Sequence, residues 1–208
     1  MLKILDYIFP GKARLKREME ELRKEVKQLS EHLIPWEGEE LELMSLIHAE
    51  RKVKSAFESS VTGIISSIYH EHMIAYQWKK LSSLGGDFQI IVANTAKYRY
   101  EYVIKGGKTS FYVDDKFLGE LRKDNKLYLS KNRVLGSIEQ KTNSEWWPIF
   151  FNQQLVGSLV NIQKAREVNP RAFQLQRGIT SDGELVFLSF AIFKIIDTTR
   201  RMKKLPFR

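Results

Sequence analysis

Apolar side chains in the first part of the chain recur at alternating steps of four and three residues. The stripe comprises Leu15, Met19, Leu22, Val26, Leu29 and Leu33. This spacing is that of the a and d positions of a heptad repeat, which a helix presents along one side. Pro10 and Gly11 precede the stripe and Pro35 follows it, so we predict a helix between them.

A heptad stripe is typical of a helix that pairs with a second helix, so we predict a homodimer through a coiled coil. Leucine at the d positions with Val26 at the central a position favours a parallel pair, in which Glu18 would meet Arg23 of the other chain. The alternative is an amphipathic helix packed against its own domain. We assign residues 1–36 to an apolar stub and this helix, and the acidic stretch 37–54 to a helical linker.

From about Val61 onward the pattern changes to short apolar and aromatic runs separated by turn residues. Runs such as FQIIVAN and YRYEYVIKG are rich in β-branched and aromatic residues. Turn sequences such as KGGK and KDN interrupt them about every 8–12 residues. This alternation of short β-forming runs and turns predicts an antiparallel meander of strands.

Three of these units share one pattern, in FYVDDKFLGEL (111–121), LYLSKNRVLGSI (127–138) and IFFNQQLVGSL (149–159). Each predicts a β-hairpin, with its turn at Asp114–Asp115, at 130–132 or at 152–154. Strand alternation puts Gly119, Gly136 and Gly157 on the buried face. The apolar residues two places before and after each glycine are predicted to share that face: Phe117, Leu121, Val134, Ile138, Leu155 and Leu159. Because glycine weakens a strand, its recurrence predicts a kink or the close approach of another element.

The segment SDGELVFLSFAIFKIID at 181–197 has almost no polar face. Ser181 and Glu184 have the spacing of a capping box, so we predict a helix that starts here and is buried on all sides. The alternative is a membrane-spanning helix, but about 14 apolar residues reach only about 21 Å of a ~30 Å hydrocarbon core.

A helix without a polar face, preceded by about 11–12 strands, fits the lumen of a closed barrel. We therefore predict a mainly β fold with helices: a closed or nearly closed antiparallel β-barrel at 55–199 around the buried C-terminal helix. Serial hairpins with an apolar-apolar-Gly signature, followed by a DG pair and a terminal apolar helix, resemble the tubby-like barrel superfamily, which includes the LURP-one-related proteins and the phospholipid scramblases. The resemblance implies this barrel and an association with phospholipid membranes.

Composition indicates the size of the core, the cellular compartment and the kind of surface that the protein binds. A chain of 208 residues with 43% apolar residues is long enough for one main core. It has no cysteine, which excludes disulfides and thiolate sites and favours a reducing compartment, so we expect a cytoplasmic protein. The net charge is +9, and a basic tail at 200–208 contributes Arg200, Arg201, Lys203, Lys204 and Arg208. We predict that this tail binds an anionic surface, either at the membrane periphery or on a nucleic acid; the alternative is a solvated tail that keeps the protein soluble.

Candidate catalytic groups are few. His70 and His72 would lie on one face of a strand, but two ligands do not make a metal site, and we interpret them as surface residues at a hairpin bend. Asp114–Asp115 is interpreted as a turn, because adjacent carboxylates do not face each other across a substrate. No glycine-rich phosphate loop stands between a strand and a helix. We therefore expect neither an enzyme nor a cofactor.

The function predicted from these observations is a non-catalytic binding or scaffold module that docks on an anionic phospholipid membrane or on a protein partner. One alternative is a single-stranded nucleic-acid-binding protein, in which Tyr98, Tyr100 and Tyr102 would stack on bases beside Arg99. The other is a scramblase-type membrane protein. The aromatic pair Trp146–Trp147 is interpreted as part of the barrel wall, with one ring inward and one outward.

Overall fold

The computed structural model describes residues 12–36, 38–54, 58–82, 87–164 and 171–202. Helix α1 is Lys12–Leu29 and helix α2 is Ser181–Met202, and short 3-10 turns lie at Ser30–His32 and Gly38–Leu43. The strands are β1 (Met44–Lys54), β2 (Glu58–Ser67), β3 (His72–Leu81), β4 (Phe88–Asn94), β5 (Arg99–Lys105), β6 (Lys108–Val113), β7 (Lys116–Leu121), β8 (Lys126–Tyr128), β9 (Val134–Ile138), β10 (Trp146–Phe151), β11 (Gln154–Val160) and β12 (Phe173–Leu175).

The twelve strands form one sheet in which each strand pairs with the next along the chain. The pairing is antiparallel, as between β3 and β4 and between β5 and β6. The first and last strands meet where Ser45 forms an antiparallel bridge with Arg171, and where the Ala172 amide donates to the Met44 carbonyl oxygen at 2.8 Å. The predicted fold, a nearly closed antiparallel barrel with an N-terminal and a C-terminal helix, is confirmed.

The chain forms two compact units. Unit 1 consists of Met1–Pro35, His48–Ile65 and His72–Leu118. Unit 2 consists of Trp36–Ile47, Ser66–Glu71 and Gly119–Arg208.

In unit 1, the apolar stripe of α1 packs against the chain's own sheet. The stripe residues Met19, Leu22 and Val26 form one buried cluster with Ala75, Leu81, Phe88, Ile90 and Val92, and Leu15, Leu29 and Leu33 pack at its margin. Leu22 is 1% exposed and Val26 is fully buried. The helix is confirmed, and its stripe has the arrangement of the intramolecular alternative. Pairing with an α1 of a second chain would require α1 to leave the sheet.

The charged residues that flank the stripe also bind the sheet. Glu18 Oε2 lies 2.6 Å from Lys79 Nζ of β3. Arg23 donates to both oxygens of Glu101 on β5, at 2.6 and 2.8 Å. The expected contact between Glu18 and Arg23 of two helices is therefore replaced by contacts within one chain.

The stretch 37–54 is not the helical linker that its sequence predicts. Only Gly38–Leu43 forms a 3-10 turn, and Met44–Lys54 is strand β1. Met44 and Ser45 are fully buried, and Ser45 Oγ donates to the Ser66 carbonyl oxygen at 2.9 Å. The local preference for helix is overridden because this segment pairs with β2 and meets residues 171–172 on its other side. The barrel thus begins at residue 44.

In unit 2, Gly136 and Gly157 lie in β9 and β11 where α2 packs against the sheet. A Cβ at Gly136 would lie 3.0 Å from Val186 Cγ1, and one at Gly157 would lie 2.7 Å from the ring of Phe187. The predicted close approach of another element is confirmed at these two positions. At Gly119 the neighbour is a strand, because a Cβ there would lie 2.9 Å from Leu127 Cγ.

The residue two places before each glycine is exposed, so the predicted alternation is wrong there. Phe117, Val134 and Leu155 are 47%, 40% and 42% exposed, whereas the residues two places after the glycines are buried. A β-bulge explains this in β9 and β11. Consecutive pairs Leu127↔Gly136 and Tyr128↔Val134 leave Leu135 as an extra residue, and Val156 is extra in the same way. The extra residue breaks the two-residue period and aims its predecessor outward.

Helix α2 confirms the predicted C-terminal helix. Every residue from 186 to 197 is buried, so no side of this part of the helix is exposed. The N-cap differs from the prediction by one residue, since the Gly183 amide donates to Thr180 Oγ1 at 3.1 Å. The helix also continues through Arg200 and Arg201, which the sequence assigned to the tail.

Candidate functional site

Lys194 is a lysine in the apolar part of α2, and it is only 9% exposed. Its Nζ donates to Gln140 Oε1 at 2.9 Å and to Asn125 Oδ1 at 3.1 Å. Gln140 belongs to the β9–β10 loop and Asn125 to the β7–β8 loop, so one side chain fastens both loops to the helix. We call residues 122–126, 139–145 and 194–201 the basic end of unit 2.

Burial lowers the pKa of Lys194 to about 8, because the charged ammonium is poorly solvated inside the protein. The carboxylate of Asp197, one turn along α2, acts in the opposite direction, and the charge of Arg201 lowers the pKa further. The two loops contribute neutral amide oxygens to this group. Lys194 therefore loses its proton at a pH where an exposed lysine keeps it.

The buried lysine predicts a pH dependence of stability. Below pH 8 both the folded and the unfolded chain hold the proton, and above the ordinary lysine pKa of 10.5 neither does. Between these values the unfolded chain binds more protons, so the free energy of unfolding should rise with pH, by up to about 1.4 kcal/mol per pH unit. Urea unfolding of the wild type and of Lys194→Met at pH 7, 8, 9 and 10 tests this: the free energy of unfolding of the wild type minus that of the variant should increase steadily with pH.

The matched control is Lys123→Met, which removes an exposed lysine from the β7–β8 loop and should keep the wild-type pH dependence. Parallel curves for the wild type and Lys194→Met would show that Lys194 titrates as an ordinary lysine.

The basic end carries seven basic and four acidic residues, a formal net charge of +3. Lys123, Lys126 and Lys141 are exposed. Two of the acids are engaged locally: Asp124 Oδ2 accepts from the Tyr128 hydroxyl at 2.7 Å, and Glu139 lies 3.5 Å from Lys141 Nζ. The Tyr128 hydrogen bond lowers the pKa of Asp124. The surface therefore presents lysines to solvent at physiological pH.

Two residues of the predicted basic tail, Arg200 and Arg201, belong to the last turn of α2. Arg200 and Arg201 bind the two oxygens of Asp197 at 2.6 and 2.8 Å. The Arg200 side chain is 10% exposed, whereas that of Arg201 is 70% exposed. Of this pair, Arg201 is the one that a large ligand can reach. Lys203, Lys204 and Arg208 lie outside the described residues.

The histidine pair lies where the β2–β3 hairpin bends. His70 has a positive φ of 65°, and both His70 and His72 are exposed. Glu71 between them accepts from Ser67 Oγ at 3.0 Å. Within the described part of the chain, no three histidine or carboxylate side chains gather as metal ligands.

Asp114 and Asp115 form the predicted turn, with φ values of 46° and 67°. Asp115 has a second role that the sequence does not reveal, because its carboxylate pairs with Arg23 and Arg99. Burial acts to raise the pKa of Asp115. The hydrogen bonds and charges of Arg99 and Arg23 outweigh this effect and hold the pKa below its ordinary value. Both arginines also bind Glu101, which is 2% exposed, so this network holds α1 to the sheet of unit 1.

Of the three tyrosines proposed to stack on bases, Tyr100 and Tyr102 are core residues, whereas Tyr98 is partly exposed. Tyr100 and Tyr102 are fully buried, and Tyr102 packs edge-on against Phe111 with ring centroids 4.8 Å apart. Trp147 is 6% exposed and Trp146 is partly exposed, as expected for a barrel wall. Of the three tyrosines named for the nucleic-acid alternative, only Tyr98 is open to stacking on a base.

Sequence reasoning missed the role of Lys194. The signal was present, since a lysine within an apolar helix needs polar partners. Its partners Asn125 and Gln140 are 69 and 54 residues away along the chain, so only the fold brings them together.

No helix among the described residues is long and apolar enough to cross a membrane. Comparisons with protein-family models, with curated proteins and with solved structures found no match to this chain. The resemblance to the tubby-like barrels therefore rests on the hairpin signature and the order of elements alone, and family membership remains a prediction.

Proposed function

We propose that this protein is a non-catalytic module that docks on an anionic phospholipid surface through the basic end of unit 2. The observation that carries the proposal is the net charge of +3 on residues 122–126, 139–145 and 194–201. The sequence continues from this end with Lys203, Lys204 and Arg208. Among the described residues, the hydrogen bonds of Lys194 to Asn125 and Gln140 bring charges from three distant segments to one end of unit 2.

The geometry of the basic end suits a flat anionic surface better than a small ligand. Lys123 and Lys141 stand on two loops that Lys194 holds side by side, so they can contact several headgroups at once. Each lysine near an anionic bilayer contributes about 1 kcal/mol, and this contribution falls with ionic strength. Binding should therefore be cumulative and sensitive to salt.

Flotation with vesicles tests the proposal. The full-length protein should float with phosphatidylcholine vesicles that contain about 30% phosphatidylserine, and not with pure phosphatidylcholine. Reversing two charges with Lys123→Glu and Lys141→Glu should weaken partitioning at least about 30-fold, since two attractions are replaced by two repulsions. Raising the salt from about 0.05 to about 0.15 M should weaken wild-type binding more than that of the variant.

The matched control is Lys16→Glu with Lys24→Glu, which makes the same change in net charge on the exposed side of α1. If both double variants lose binding equally, overall charge and not the basic end is responsible. If the wild type stays unbound at low salt, the membrane proposal is wrong. Tight, salt-dependent binding to a single-stranded oligonucleotide in place of vesicles would favour the nucleic-acid alternative.

A further inference from the structure

Unit 1 has a hollow of about 240 Å³ between α1 and strands β5 and β6. Its apolar walls are Leu15 and Met19 of α1, Val103 of β5 and Tyr112 of β6. Met19 is 8% exposed, and the other three are partly exposed, so solvent reaches the hollow. The Tyr112 ring meets the ring of Phe117 on β7 edge-on, with ring centroids 5.5 Å apart. Because an apolar cavity of about 150 Å³ can hold benzene, this hollow has room for one or two fused rings.

Arg23 of α1 also lines the hollow, and its guanidinium has hydrogen-bond donors to spare. The Nε and Nη2 atoms donate to Glu101 and Asp115. The third nitrogen, Nη1, carries two N–H groups, and no described residue accepts from them. The Arg23 side chain is 31% exposed, so a ligand can reach it. A ligand in this hollow therefore gains a hydrogen bond from Arg23 if it carries an acceptor.

The charges around the hollow favour an uncharged ligand. The carboxylates of Glu20, Glu101 and Asp115 line it together with the cations of Lys16 and Arg23, so the lining has one negative charge in excess. An anionic ligand would meet three carboxylates beside the one guanidinium. A cationic ligand would find each carboxylate already within 4.0 Å of a lysine or arginine nitrogen. A neutral acceptor avoids both costs.

Three of the lining side chains favour an aromatic ring over an aliphatic chain. The Tyr112 ring can stack on a second ring or meet it edge-on, as it meets that of Phe117. The thioether of Met19 can make favourable contacts with the edge of a ring. The guanidinium of Arg23 can lie over the face of a ring. An acyl chain would gain none of these interactions.

We propose that the hollow between α1 and strands β5 and β6 binds a small, uncharged aromatic molecule of one or two rings that carries a hydrogen-bond acceptor, such as a carbonyl oxygen. The ring contacts Met19 and Tyr112, and the acceptor takes an N–H of Arg23 Nη1. The site is built from residues of unit 1 alone. It is therefore independent of the proposed docking of unit 2, and either proposal can fail without the other.

An NMR titration of the full-length protein, labelled at its methionine methyl groups, with 2-acetylnaphthalene tests the site. The Met19 methyl signal should move, because a bound ring shifts only nearby nuclei, and those of Met44 and Met73, which do not line the hollow, should stay. The Kd should lie below about 1 mM. Naphthalene, which lacks the acceptor, should bind about ten-fold more weakly. The anion 2-naphthoate should also bind more weakly than 2-acetylnaphthalene.

Two variants locate the ligand. Val103→Phe fills the hollow and should weaken binding of 2-acetylnaphthalene at least about ten-fold, because the new ring takes up the space for the ligand. Val53→Phe is the matched control, since it makes the same change at a position of unit 1 that is 54% exposed and outside the hollow. Arg23→Lys keeps a positive charge beside Glu101 but lacks Nη1. It should reduce the affinity for 2-acetylnaphthalene to that for naphthalene.

A Met19 signal that stays in place, or that moves equally in Val103→Phe, overturns the site. Equal binding of the two neutral probes, or unchanged binding by Arg23→Lys, overturns the role of the acceptor. Tighter binding of 2-naphthoate would mean that the ligand is an anion. In sedimentation, a dimer that Val103→Phe abolishes and Val53→Phe keeps would mean that a second copy occupies the hollow. Circular dichroism shows whether each variant folds, and if Val103→Phe does not, the three probes on the wild type decide.

Discussion

Replacing Gly157 with alanine is expected to lower the free energy of unfolding by about 3 kcal/mol. The new Cβ would lie 2.7 Å from the Gln174 carbonyl oxygen of β12 and 2.7 Å from the ring of Phe187. A flexible side chain could move away, but the carbonyl is fixed by the pairing of β11 with β12. Either the two strands separate or α2 shifts, and both changes disturb a closely packed core.

Urea or thermal unfolding measures this effect, and the melting temperature should fall by roughly 10 °C. Ser158→Ala is the matched control, because it changes the next residue of β11, which is partly exposed, and should shift stability by less than about 0.5 kcal/mol. Equal stability of the two variants would mean that α2 does not pack as closely on β11 as the structure indicates.

Replacing Leu22 with alanine is expected to destabilise the protein by about 3 kcal/mol. Leu22 is 1% exposed in the cluster between α1 and strands β3 and β4, so its removal leaves a cavity in unit 1. The loss should not depend on protein concentration, since the contacts of Leu22 lie within one chain. Unfolding at several protein concentrations, together with sedimentation, measures both quantities.

The same experiment tests the predicted coiled-coil dimer. If the stripe paired two chains, wild-type stability would rise with protein concentration, and Leu22→Ala would convert a dimer to a monomer. Lys24→Ala, on the exposed side of α1, is the control and should leave both stability and mass unchanged. A concentration-dependent midpoint in the wild type alone would contradict the intramolecular arrangement.

The third hairpin agrees with its sequence pattern in part and departs from it at Leu155. The residues LVG at 155–157 predict a strand in which Leu155 and Gly157 lie on the buried face. The strand and the burial of Gly157 are confirmed. The pattern places Leu155 on the buried face, which is wrong, because a bulge adds one residue without leaving a signal in the composition. Its presence depends on how β10 and β11 pair, and this is decided by contacts across the sheet.

At the basic end, too, some features are visible in the sequence and others depend on the fold. The charges of residues 200–208 are visible in the sequence, and so is the lysine within the apolar run of α2. Arg200 pairs with Asp197 three residues away in the same helix. The positions of Lys123 and Lys141 at the end of α2, by contrast, depend on loops that are distant along the chain. The sequence therefore predicts that the site is positively charged, but it does not predict which residues form it.

The sequence by itself determined the local features: an amphipathic α1, a series of hairpins with their turns, an α2 without a polar face, and the positions where only glycine fits. These features follow from periodicity and from the conformations of single residues, which act over a few positions. Only the tertiary structure decided that α1 covers the sheet, that 44–54 is a strand, and that the charges gather at one end. These outcomes depend on the partners that become available when distant segments meet, and burial against those partners outweighs local preference.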